Sequence, residues 1–166
     1  LDRAVRAVHP DEADEIVPFV ATMMGMKLAG RFAERVKGIE GEGLEKLIFK
    51  NVRALLIKGA ELRPMIIRVE DLHWADRSTR DLLAFLVRNL RQGRLLLVLT
   101  YRDTELGDGH PLVPVIGSVP AAVVRTVQLG SLSHDAVALL DAQPPAVVEP
   151  AGRGHADRCL LYTSPS

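Results

Sequence analysis

An α/β fold built on a parallel sheet is what this sequence predicts, and three neighbouring stretches predict it. Met65-Ile-Ile-Arg-Val69 is a short, mostly apolar run that ends in two adjacent carboxylates, Glu70 and Asp71. After Asp76, the residues Leu82, Leu83, Phe85, Leu86 and Leu90 recur at helical spacing. Arg94-Leu-Leu-Leu-Val-Leu-Thr100 is then a continuous apolar run of strand length, expected to be buried on both faces of a sheet. Strand, helix and strand within about thirty-five residues make one right-handed βαβ unit.

Residues 1–10 are charged and carry no strong period. The acidic run Asp11-Glu-Ala-Asp-Glu15 favours a helix start through the helix dipole, so a helix is expected from about Asp14 to Gly25. Pro18 is tolerated only if it lies within the first turn. Met23, Met24 and Met26 are expected to pack in the core, the alternative being an adaptable binding surface. A short helix is expected over Arg31–Lys37. From Leu44 the residues Leu47, Ile48, Val52, Leu55 and Leu56 form an apolar stripe, with Lys46, Lys50, Arg53 and Lys58 mostly on the other side. That helix should end around Gly59–Leu62, before Pro64. Asp76 stands where an N-cap belongs, and Gly93 is placed to close the helix it opens. Residues 104–122 read as a Gly/Pro-rich loop with one helical turn over Pro111–Ile116, and Val123–Leu129 as a third strand. Ser133 is expected to cap a helix reaching Leu140.

An apolar strand ending in acids has two readings. It is a buried strand leaving the core at an acidic turn, or it is the strand with which P-loop nucleotidases hold Mg²⁺ and orient a water beside the γ-phosphate. The longer string Glu70-Asp-Leu-His-Trp-Ala-Asp76 resembles the Walker B motif of AAA+/STAND ATPase modules in bacterial multidomain signalling proteins, such as LuxR-type regulators and adenylate cyclases. The resemblance covers roughly Ile16 to Leu140. It implies a partial P-loop NTPase three-layer fold, a parallel sheet with flanking helices, with ATP and Mg²⁺ as cofactors. By position, Glu70 takes the slot of the Mg²⁺-associated acid and Asp71 that of the water-polarising acid, also beside the metal. Arg102, with Thr100 second, takes the sensor 1 slot near the γ-phosphate; the alternative for Arg102 is an exposed arginine at a strand end. Related modules order their strands 5-1-4-3-2. The third strand here should therefore stand apart from Arg94–Thr100 by two strand spacings, about 9–10 Å, or collapse against it, leaving apolar edges exposed.

The phosphate cradle of that family, Gly-x-x-x-x-Gly-Lys-Ser/Thr, does not occur in these 166 residues. Gly38-Ile-Glu-Gly-Glu-Gly43 lacks the lysine and a preceding strand, and its carboxylates repel phosphate. The chain is therefore expected to be an internal fragment lacking the P-loop strand. It divides into a partial ATPase domain at 1–143, with a helical insertion at 1–63 and the stretch from Walker B to the start of the lid at 64–143, and an irregular tail at 144–166. The ending from Cys159 resembles translated sequencing-adapter sequence, so residues from about 150 are expected to be non-native. Arg68 departs from the apolar norm in mid-strand and needs a carboxylate or a route to solvent. His73 has no second histidine at metal spacing and is expected, with Trp74, to pack the turn.

Composition narrows the partners. Lys plus Arg and Asp plus Glu both number 21, a balance that gives no electrostatic footprint for nucleic acid or an anionic membrane. No apolar run is long enough to span a bilayer, and the start, Leu-Asp-Arg-Ala-Val-Arg, has no apolar signal-peptide region. One cysteine excludes an internal disulfide or a cysteine metal cluster. The cytoplasm is the expected compartment. The resemblance implies ATP and other domains of a parent chain as partners, no direct nucleic-acid contact, and a nucleotide-dependent oligomer. Ile16–Met26 and Gly43–Val52 look most similar to modules that follow class III adenylate/guanylate cyclase domains. The alternatives are a nucleotide-independent interaction scaffold, or the ATPase module of a DNA-binding transcriptional regulator.

Overall fold

A computed structural model describes residues 1–90, 93–117, 119, 124–130, 133–141 and 157–163. The fold is a mixed helix and strand architecture around a four-stranded sheet of order β1-β2-β4-β3. β1 (Met65–Val69) and β2 (Leu95–Arg102) pair in parallel, from Met65 opposite Leu95 to Val69 opposite Leu99. The helix between them, Arg77–Asn89, opens at Asp76, whose carboxylate accepts the Thr79 N–H at 2.8 Å. It buries Leu83, Leu86 and Val87 against the sheet side of the core, and Leu90 follows them inward. The expected strand–helix–strand unit is therefore present, with parallel strands.

Four helices precede β1: α1 (Asp2–Val8), α2 (Ala13–Met23), α3 (Arg31–Val36) and α4 (Gly41–Leu62). The helix Arg77–Asn89 is then α5. α1 escaped the sequence pattern because, of its seven residues, only Val5 is buried, too few to show a period. α2 supplies Ile16, Val17, Phe19 and Val20 to the core. Its Pro18 lies past the first turn, where it removes an interior hydrogen bond, yet it is buried and the helix continues; Thr22 Oγ1 donates back to the Pro18 carbonyl at 2.7 Å. The three methionines are not core residues. Met23, Met24 and Met26 are exposed, because the helix ends at Met23 and Gly25, at φ +65°, turns the chain outward. α4 begins three residues ahead of its apolar stripe and joins α5 through Arg53, whose Nε donates to the Asn89 carbonyl at 3.0 Å.

Two expectations about the sheet need correction. β2 is not buried on both faces: Leu95, Leu97, Leu99 and Tyr101 are buried, while Leu96, Val98, Thr100 and Arg102 are half-exposed. β1 shows the same parity, with Ile66 and Arg68 on the open side. Such alternation is the pattern of a sheet with one covered face. The second correction concerns the stretch expected to be an irregular tail. Residues Asp157–Thr163 form β4, antiparallel to β2 on one side and to β3 (Val124–Gln128) on the other. Its Cys-Leu-Leu-Tyr-Thr composition is strand-prone, and both flanking strands offer unpaired edges.

β3, the expected third strand, runs in the same direction as β2, since each is antiparallel to β4. It stands one strand away from β2, as the 5-1-4-3-2 order implies, but the gap is filled. The facing edges of β2 and β3 are both paired with β4, so the apolar edges expected there are not exposed. Two further helices, α6 (Val113–Gly117) and α7 (His134–Asp141), flank β3 in sequence. The helical turn expected over Pro111–Ile116 is α6, displaced by two residues at its start. Among the described residues, no helix is long and apolar enough to cross a membrane.

Candidate functional site

The carboxyl ends of β1 and β2 lie side by side, and this rim gathers the residues singled out from the sequence. Val69 pairs with Leu99, so Glu70 and Asp71 leave β1 beside Thr100 and Tyr101, one residue short of Arg102. Glu70, Asp71, Thr100 and Arg102 therefore share one rim of two adjacent parallel strands.

The two carboxylates then part company. Glu70 continues the open face of β1, and its Oε1 lies 3.4 Å from Arg68 Nε. Arg68 thus has both things a mid-strand arginine needs, a carboxylate and solvent. Asp71 adopts the left-handed conformation, φ 52° and ψ 42°, and is the only non-glycine residue with positive φ among the described residues. That conformation costs an L-residue roughly 1 kcal/mol, and aspartate bears it better than most. Two backbone bonds hold it there. The Asp71 N–H donates to Thr100 Oγ1 at 3.3 Å, and the Asp71 carbonyl accepts the Trp74 N–H at 2.9 Å, opening a single turn of 3₁₀ helix over Leu72–Trp74.

His73 is the residue the sequence undervalued. Its side chain is fully buried, and Nδ1 accepts the backbone N–H of Arg102 at 3.3 Å. The expectation that His73 and Trp74 together pack the turn holds only for His73. Trp74 is largely exposed and touches the imidazole edge-on, with ring centroids 5.1 Å apart. The ends of β1 and β2 are thus tied by reciprocal bonds. The Asp71 backbone N–H, just past β1, meets a β2 hydroxyl, and a β2 backbone N–H meets the imidazole. Each such bond contributes roughly 0.5–1.5 kcal/mol net. The one available signal was the position of His73, two residues beyond a turn acid, where a side chain points back under the rim.

Comparison with family models, with curated proteins and with solved structures finds no match for this chain.

What the rim offers is therefore read from its own chemistry. Among the described residues, no three His, Cys, Asp or Glu side chains converge on a point where they would hold a metal. Glu70 and Asp71 offer two carboxylates at this rim, one paired with Arg68 and the other facing His73. The half-exposed Asp71 carboxylate is reachable, and Glu70 is restrained only by an exposed ion pair, a weak constraint. The Gly-x-x-x-x-Gly-Lys-Ser/Thr string that would build a nest of backbone N–H groups with a lysine for a triphosphate does not occur in the sequence. The neighbouring cleft of about 690 Å³ lies between the starts of α4 and α5, walled by Met23, Glu45, Ile48, Asp76, Thr79 and Leu82 among others. It borders none of Glu70, Asp71, Thr100 or Arg102.

Proposed function

We propose that this chain is the Walker B and sensor 1 half of an ATP-binding, slowly hydrolysing regulatory module in a cytoplasmic signalling protein, with a class III nucleotide cyclase as the favoured parent. The observation that carries the reading is the convergence of Glu70, Asp71, Thr100 and Arg102 on one rim of two parallel strands. In open α/β sheets this rim is where ligands bind.

The residues divide the work by position. Glu70, on the open face, is placed to meet a cation, at the expense of its weak pairing with Arg68. Mg²⁺, when bound, would supply positive charge that offsets the charge of the phosphates. Asp71 orients the attacking water, and its backbone is fixed by Thr100. Arg102 reports the γ-phosphate. Relative to the usual aspartate-then-glutamate order, the acid lengths here are reversed, moving each carboxylate by about one C–C bond; geometry that is off by this much slows chemistry. A slow enzyme suits a nucleotide-gated switch. The phosphate cradle would come from elsewhere in the parent protein.

One observation favours the alternative of a nucleotide-independent scaffold. β4 fills the slot between β2 and β3, which the resemblance reserves for the cradle strand, and runs the opposite way. An antiparallel strand brings its beginning, not its end, to the rim, so no phosphate loop can follow it there.

Substitution in the full-length protein tests the first reading. Asp71→Asn should lower hydrolysis by about a hundredfold or more while sparing ATP binding, since only the water-orienting group is lost. Arg102→Ala should weaken the distinction between ATP and ADP. Unchanged turnover in Asp71→Asn would show that Asp71 is not the acid.

A further inference from the structure

We infer that His73 is a positioning residue for Asp71, coupling that carboxylate to the main chain of Arg102 so that the two sides of the rim move as one unit. The inference rests on how the imidazole spends its two nitrogens. Nδ1 accepts the Arg102 N–H, so the ring proton of the neutral imidazole sits on Nε2. Nε2 is buried and has no hydrogen-bond partner among the described residues. The acceptor that faces it is Asp71 Oδ1, at 4.0 Å.

That distance is too long for a hydrogen bond and short enough for a side-chain rotation to close. A buried N–H without a partner is costly, so the imidazole draws the carboxylate inward. The Asp71 backbone cannot drift away to relieve this, because it is pinned in the left-handed conformation by Thr100. Asp71 therefore has an inner berth on His73 and an outer one on the open rim. Moving outward leaves Nε2 unsatisfied, and the cost passes through the ring to the Arg102 N–H. The coupling stands on these contacts alone. Its consequence for hydrolysis rests on the proposed ATPase reading.

The experiment separates the two. Long-range ¹H–¹⁵N spectra of the 166-residue chain, labelled in histidine, read the tautomer directly. His73 should be a fixed Nε2–H tautomer. Asp71→Asn, which keeps a residue suited to the left-handed conformation, should shift the His73 Nε2 resonance and the Arg102 amide while leaving the amides of Val5 and Ile16 unmoved. An Nδ1–H tautomer, or His73 and Arg102 signals indifferent to Asp71→Asn, would overturn the inference whatever the fate of the ATPase reading. In a hydrolysing full-length protein, two replacements divide the ring's functions. Asn places its amide near the Nδ1 position and Gln near Nε2. His73→Gln should retain most turnover, and His73→Asn should lose about ten- to a hundredfold in kcat at unchanged ATP affinity. Equal losses in both variants, with both still folded, would reduce His73 to a packing residue and contradict its role in positioning Asp71.

Discussion

The two faces of the β1–β2 pair are made from the same apolar vocabulary and meet opposite fates. On one face Leu95, Leu97, Leu99 and Tyr101 are each no more than 5% exposed, sealed in the core shared with α2, α4 and α5. On the other, Ile66 is 72% exposed, Leu96 and Val98 are half-buried, and Arg68 and Glu70 pair in solvent. An apolar run therefore states that a strand exists, and the polar residues within it state which face is open. Arg68, Glu70, Thr100 and Arg102 all fall on the open parity, and three of them are rim residues. The face that carries three of the four candidate site residues is the face the core leaves uncovered.

Substitutions on the two faces should differ sharply. Leu97→Ala removes a fully buried side chain and should lower stability by about 2–5 kcal/mol, read from chemical denaturation. Weakening the cover itself should cost less. Asp76 caps α5, and hydrogen bonds from Thr79, the side chain's first and the backbone N–H's second, hold its carboxyl below the usual aspartate range. A lowered folded value means that the capping contribution is present above the unfolded aspartate value and disappears as pH falls through the folded one. Asp76→Ala should therefore melt below the parent chain at neutral pH, with the gap closing in strong acid. A gap that persists unchanged at low pH would show that the cap does not act through its charge. Ile66→Thr, on the open face, should leave stability within about 0.5 kcal/mol. A large loss there would mean that the open face is covered after all.

The β1–α5–β2 unit was legible because its signals are local. Five apolar residues, an N-cap at Asp76, a helical stripe and a second apolar run each depend on near neighbours, and their parallel pairing brings Glu70, Asp71, Thr100 and Arg102 together without further information. The open face was half legible, through Arg68 in mid-strand. β4 was not, because its place between β2 and β3 is decided by edges more than fifty residues upstream of it in the case of β2 and by no feature of its own sequence beyond strand propensity. The exposure of Met23, Met24 and Met26 turned on a single left-handed glycine. The hydrogen bond made by His73 was missed for a related reason. The value of its Nδ1 depends on where the Arg102 N–H arrives from the neighbouring strand, a non-local fact.

The central proposal is that this chain holds the metal and water side of a nucleotide site without the phosphate cradle. Titrating the isolated chain with a fluorescent ATP analogue and Mg²⁺, alongside the full-length protein, tests it most directly. Two carboxylates and one arginine on a solvent-open rim cannot hold a triphosphate, since an exposed ion pair contributes at most about 1 kcal/mol. The isolated chain should therefore show no saturable binding in the micromolar range, while the full-length protein saturates. Micromolar binding by the isolated chain would reveal a phosphate site within these 166 residues and contradict the account.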